Sequence, residues 1–207
     1  MTKIKNVIIG YSGHAYVVAE SYISNGNNLY YYSEKIELST NPYNLEYLGF
    51  EFDAAFKGWD MTLNYILGIG NNNIREKVGN LILSKSKTLL NVIDSNAIIS
   101  KSVNIGIGVF VSKGTLVNAF SKIGNFTILN SGCIIEHECE IGKAVHIAPG
   151  AVLAGNVKVG DRSFIGANAV VKQGVEIGND VIIGAGSVII KDVESNTKLV
   201  GNPGRII

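Results

Sequence analysis

The stretch SKIGNFTILNSGCIIEHECEIGKAVHIAPG, residues 121–150, returns an aliphatic side chain every six positions, at Ile123, Leu129, Ile135, Ile141 and Ile147. Four residues after each stands a small or short-branched one: Thr127, Cys133, Cys139, Val145 and Ala151. A period of six is neither the alternation of a half-buried strand nor the turn of a helix at about 3.6 residues. Outward from this stretch the register runs back through Val117, Val111, Ile105 and Ile99 to Ile93. It runs forward through Leu153, Val159, Ile165, Val171, Ile177 and Ile183 to Ile189. Such a hexapeptide period is the signature of a parallel β-helix. Each hexad forms one side of a triangular prism, and three hexads make a coil. Each inward residue then stacks on its equivalent eighteen positions away. A coil buries its inner face only against its neighbours, so the array is a solenoid.

Composition fits one ordinary globular chain, with 207 residues, 46% hydrophobic and 17% charged. The formal net charge of +1 comes without any run of like charges, which gives no support to nucleic-acid binding. No apolar run reaches the roughly 18 residues of a membrane span. The apolar run of KNVIIGY stops at Tyr11-Ser12-Gly13-His14 and reads as a strand rather than a signal peptide, so a cytoplasmic location is expected. Cys133 and Cys139 lack the spacing of a zinc site and are too few for a disulfide scaffold. Both occupy the small inward position, which makes them reduced core residues.

Before Ile93 the pattern changes. KNVIIGY (Lys5–Tyr11), LYYY (Leu29–Tyr32) and LNYILGIG (Leu63–Gly70) read as strands. AYVVAESYI and NNNIREKVGNLILSK read as helices, the second with Asn at its start. Alternating strands and helices imply a small parallel sheet, with ligands beyond the carboxyl ends of its strands. Two of those ends are GYSGH and GIGNNN. Gly and Asn there are either a plain turn or free amides suited to a phosphate or a nucleotide.

His137 lies two residues past inward Ile135, at an outward or corner position, with Glu138 beside it. It is either a solvated corner residue or a general base with an orienting carboxylate.

The Gly-x-x-Gly-His domain, the uninterrupted hexapeptide array with Glu-His-Glu-Cys, and the ending VGNPGRII (Val200–Ile207) together resemble a known family. It is the sugar O-acyltransferase group of left-handed β-helix acyltransferases, which includes bacterial nucleotide-amino-sugar N-acetyltransferases and sialic acid O-acetyltransferases. The resemblance implies a Rossmann-like α/β domain at 1–90, a left-handed β-helix at 91–194 and a C-terminal tail at 195–207. It implies a homotrimer with acetyl-CoA between adjacent prisms. His137 matches the family's general base and Glu138 the carboxylate that raises its basicity; Glu136, at the turn position, reads as structural or solvated. His146 matches a histidine that contacts acetyl-CoA, with a hydrogen bond to the thioester carbonyl as its role. Gly155, Ala167 and Ala185 match main-chain contacts to the pantetheine arm. Ser12, Gly13 and His14 match the first nucleotide-sugar loop, Gly70, Asn71 and Asn73 the second, and Asn130 a position near the reacting group.

One departure concerns the nucleotide. Many relatives have an acidic pair after the second strand, where this chain reads Tyr32-Ser33-Glu34-Lys35. The expected activity is acetyl-CoA-dependent N-acetylation of a UDP-linked 4-amino-4,6-dideoxy sugar. Sialic acid O-acetylation and a GDP-amino sugar are the alternatives on this scaffold. A zinc carbonic anhydrase-like solenoid needs three imidazoles, and the only histidine beyond His137 and His146 is His14 in the other domain. A purely structural solenoid has no use for a nucleotide-binding domain.

Overall fold

The computed structural model describes residues 4–207. Residues 1–3, the start of the expected first domain, lie outside the described residues. Strand β1 (Lys5–Ile9) pairs in parallel with β2 (Tyr31–Ser33) on one side and β4 (Leu63–Leu67) on the other. Short strands β3 (Glu46–Tyr47) and β5 (Thr88–Leu89) complete the order β3-β2-β1-β4-β5, which is doubly wound. The second strand begins two residues later than its composition suggests, because Tyr31 is the residue that registers with Val7 of β1.

Successive residues of a strand point to opposite faces, and here both faces are covered. Val7 and Ile9 pack with Tyr65, Leu67, Val78 and Ile82 on the side of helix α2 (Asn72–Ser84). Ile8 and Ile66 pack with Ala15, Val18 and Ala19 on the side of helix α1 (Gly13–Ser24). Two-sided burial is why these strands read as continuous apolar runs.

From Val92 the chain forms the prism, two-residue strands alternating with corners. The first face holds Phe110–Val111, Ile128–Leu129, His146–Ile147, Phe164–Ile165 and Ile182–Ile183, each pairing in parallel with the next of these strands, eighteen residues away. The second face runs from Ile98–Ile99 to Val188–Ile189, and the third from Asn104–Ile105 to Glu176–Ile177. The second residue of each pair points inward; Leu129, Ile135, Ile147, Leu153 and Ile165 are fully buried. Cys133 and Cys139 are fully buried and free, and burial pushes the Cys133 thiol up to about 12, well away from reactivity. Inward hydroxyls are tolerated because they find backbone partners: Ser121 Oγ donates to Glu136 O at 2.8 Å, Thr127 Oγ1 donates to Gly142 O at 2.8 Å, and Ser187 Oγ accepts from the Gly201 N–H at 3.1 Å.

The last coil is shorter. Ile177 bridges Val193 and Ile182 pairs with Lys198, a spacing of sixteen. Part of the segment read as a tail therefore continues the first face as Lys198–Val200, and Arg205–Ile206 closes it in antiparallel.

The two domains meet along α2. Its buried residues Arg75, Val78, Gly79 and Ile82 form one helical stripe. A Cβ on Gly79 would lie 2.7 Å from the ring of Phe126, so glycine lets the helix seat on the prism. Asn72 Nδ2 donates to Arg162 O at 2.8 Å, and Glu76 pairs with Lys143 at 2.9 Å across the same seam.

Candidate active site

β1 and β4 are neighbours, with Ile9 opposite Leu67, so the loops Gly10–His14 and Gly68–Asn73 leave the sheet side by side. Gly10, at φ +80°, is needed for their contact: a Cβ there would lie 2.7 Å from Ile69 Cγ1. Gly13 has open space around it, so packing does not explain it.

His14 faces Gly70, whose missing Cβ would stand 3.7 Å from His14 Cβ. Its ring meets Phe110 edge-on at 5.6 Å and lies 6.0 Å from that of His146. His146 projects from the first face, edge-to-face with Phe164 at 5.1 Å. Asn130 Nδ2 is 3.1 Å from His146 Nε2. Because the Ser131 N–H donates to Asn130 Oδ1 at 2.8 Å, the amide turns its NH2 group toward the imidazole. Nε2 therefore accepts, and the remaining proton sits on Nδ1. Burial, then the positive charge of Arg75, lower His146 to about 3 and His14 to about 4. A smaller contribution from the Gly70 backbone opposes the shift of His146. Asn130 occupies Nε2, so Nδ1 is the nitrogen that carries the ring N–H. His14 Nε2 is buried with no hydrogen-bond partner among the described residues.

Between the Gly70–Asn73 loop and the first face lies a cleft of about 500 Å3. His146, Phe164 and Ile182 form its floor, and Arg162 and Asp180 one wall. Asn71 caps α2, accepting from the Ile74 N–H at 3.1 Å. The N–H groups of Asn72 and Asn73 have no acceptor within the helix, and both residues line the cleft. Free amides at a helix N-terminus favour an anion. Arg162 grips Asp180 through two bonds, at 2.9 and 2.7 Å, which keeps the wall rigid and locally neutral.

His137 and Glu138 lie elsewhere, at the corner between the second and third faces. His137 Nδ1 is 3.0 Å from Glu138 Oε2, and both side chains are at least half exposed. Nε2 has no partner among the described residues and lies over Gly155, whose missing Cβ would be 2.5 Å from it. Gly155 therefore makes room for the imidazole. Glu138 sits at φ 60°, the left-handed turn conformation that recurs at the same position of the other hexads, as at Phe120, Phe126, Arg162 and Asp180. Glu136 is held in place by Asn118 Nδ2 at 3.0 Å.

The corner that carries His137 is opposite the first face of the same prism, so one chain does not bring His137 to His146 or to the cleft. Ala167 and Ala185 fall on the third site column, the corner between the first and second faces, where Ala167 O accepts from the Gly186 N–H at 2.8 Å. Ser12, Gly13, His14, Gly70, Asn71 and Asn73 converge, and Asn130 joins them through His146. Sequence reasoning missed Arg75, an arginine on the apolar stripe of α2, although its place between Asn72 and Val78 was a visible signal. Among the described residues no three His, Cys, Asp or Glu side chains are grouped to hold a metal ion, and no helix is long and apolar enough to cross a membrane.

The comparisons with known proteins agree with this architecture. Residues 5–82 match the PglD N-terminal domain, and residues 120–155 and 156–191 match the bacterial transferase hexapeptide repeat. A perosamine N-acetyltransferase variant from Caulobacter crescentus, solved with CoA and GDP-perosamine, is 34% identical, with TM-score 0.93 over 98% of this chain and 96% of that one. The acetyltransferase domain of PglB from Neisseria gonorrhoeae is 27% identical, with TM-score 0.90 over 99% and 100%. WeeI from Acinetobacter baumannii is 26% identical, with TM-score 0.87 over the same shares of the two chains, 99% and 100%. No curated protein sequence gives a significant match. The fold is that of a left-handed β-helix acyltransferase. The chain belongs to the hexapeptide-repeat sugar acyltransferases that carry a PglD-type N-terminal domain.

Proposed function

We propose that the protein transfers the acetyl group of acetyl-CoA to the 4-amino group of a nucleotide-activated 4-amino-4,6-dideoxy sugar. The observation that carries this reading is the His137–Glu138 pair. Nδ1 is tied to a carboxylate at 3.0 Å, while Nε2 is free and half exposed. A neutral imidazole so oriented can take the proton that the amine loses as it attacks the thioester. The match with N-acetyltransferases over nearly the full chain supports the donor and the acceptor class.

The site is completed by a second copy. The outward residues of the second face, Ile98, Leu116, Ile134, Val152, Val170 and Val188, are aliphatic throughout. On the third face the outward residues include Lys122, Glu140, Lys158 and Glu176, paired in charge along the ladder as a water-facing surface would be. Turning three second faces toward one axis buries the aliphatic stripe in a closed trimer. It also sets the His137 corner of each copy against the Ala167 and Ala185 corner of the next. The pantetheine arm then runs between Gly155 of one copy and Ala167 and Ala185 of its neighbour. His137 approaches the neighbour's first face, which carries His146, Asn130 and the cleft. Ser12, Gly13, His14, Gly70, Asn71 and Asn73 hold the nucleotide sugar, its diphosphate at the N-terminus of α2. A cytoplasmic location goes with this reading.

A GDP-linked acceptor is favoured over the UDP-linked one by two observations. The relative with 34% identity binds GDP-perosamine. Glu34, the one carboxylate left where an acidic pair is otherwise found, already accepts the N–H groups of Tyr11 at 3.1 Å and Lys35 at 2.9 Å. A panel of UDP- and GDP-amino sugars and free sialic acid, assayed with acetyl-CoA for thiol release, tests the proposal. Turnover with a nucleotide amino sugar is the expected result; turnover with sialic acid alone would overturn it.

A further inference from the structure

Arg75 is 1% exposed, and among the described residues it forms no ion pair. Backbone and amide oxygens take the place of a counter-ion. Nε donates to Phe126 O at 2.6 Å, and Nη1 to Ile69 O at 3.2 Å and Gly70 O at 2.8 Å. Nη2 donates to Asn72 Oδ1 at 2.9 Å, Ala144 O at 2.8 Å and Val145 O at 3.1 Å. All five N–H groups of the guanidinium are committed, so none is left for a ligand. Taking a cation out of water without an opposite charge is unfavourable, and an apolar side chain of similar length would fill the space without that penalty. What an apolar side chain cannot do is bind two elements at once. Three of the acceptors belong to the loop Ile69–Asn72, and the other three, Phe126, Ala144 and Val145, to the corner that leads into the first face of the prism, on successive coils.

We infer that Arg75 is a positioning residue for the acceptor: its rigid fork sets the Ile69–Asn72 loop at a fixed distance from the first face of the prism. The inference rests on the reading of this loop as the nucleotide-sugar loop. Lysine keeps the charge but not the planar fork. Methionine keeps neither. Both variants leave the His137 corner and the Ala167 and Ala185 corner intact, so they should act on one substrate and not the other.

The test uses the full-length protein with GDP- and UDP-4-amino-4,6-dideoxy sugars. In Arg75→Met, kcat/KM for the nucleotide sugar should fall about a hundredfold, the size of effect that a misplacement of about 1 Å produces. KM for acetyl-CoA should stay within about threefold. Arg75→Lys should recover about tenfold of the loss, and as the milder change it carries the test alone if the methionine variant does not fold. Hydrogen exchange of the 68–73 amides should rise in Arg75→Met and fall back in Arg75→Lys. Equal losses for both substrates, or unaltered exchange in a folded variant, would overturn the inference. Exchange is read without turnover, so a wild-type protein inactive on every sugar removes the proposed function while this measurement still decides the role of Arg75.

Discussion

His137 and His146 are nine residues apart in the chain and opposite in character. The first is exposed, with one nitrogen anchored and one free; the second is half-buried, with Nε2 held by Asn130. Replacing His137 with Ala should lower kcat on the order of a hundredfold or more with the fold unchanged, as loss of a general base does; steady-state turnover and circular dichroism check it. Glu138→Gln should slow the reaction less, because the imidazole keeps its free Nε2 and loses only the carboxylate that orients it. The half-buried histidines make a different prediction. Both have folded pKa values below the ordinary 6.5, at about 3 and about 4, so the unfolded chain binds protons the folded one does not. Stability is therefore fully present above pH 6.5 and is lost as pH falls toward 4, with a slope of about 1.4 kcal/mol per unit for each histidine. Denaturant midpoints from pH 7.5 to 4.5 measure this, and His146→Asn should flatten the curve. The six-residue register was enough to tell the exposed histidine from the scaffold around it. It could not show the tautomer of His146, because that depends on how Ser131 orients Asn130 against the ring.

At the scale of elements, the strands of the prism were legible because an aliphatic residue returns inward at every sixth position and each coil has the same job. β3 and β5 were not, since two-residue strands carry no pattern of their own and exist by pairing with β2 and β4. The contracted last coil was hidden for a related reason: Val193 still sits inward, so the apolar pattern continues while the spacing changes. The seating of α2 gives a prediction. Ala in place of Gly79 gains about 1 kcal/mol of helix propensity, but its methyl meets the buried Phe126 ring at 2.7 Å. Overpacking of this kind costs about 1–3 kcal/mol, and Phe126 is 1% exposed and has no room to move. The net change should be destabilising, read as a lower urea midpoint at unchanged slope.

For the whole molecule, the arrangement of columns on the prism sets the terms of assembly. Ile134→Lys on the second face should give monomers in sedimentation analysis, with activity lost although His137 is untouched. A site shared between copies also permits complementation. Mixing His137→Ala with the cleft-blocking Gly70→Trp, each inactive alone, should restore about a quarter of wild-type activity after co-refolding, the share of sites that random assortment in a closed ring makes whole. A site within one chain would restore none. The eighteen-residue ladder adds a constraint of another kind. Each rung advances the axis by a fixed step of about 4.8 Å, so the height of His137 relative to a neighbour's cleft can be altered only in whole rungs. The prism is in that sense a vernier: substitutions tune what a rung displays, while insertion or deletion of one coil is the smallest adjustment of where it is displayed.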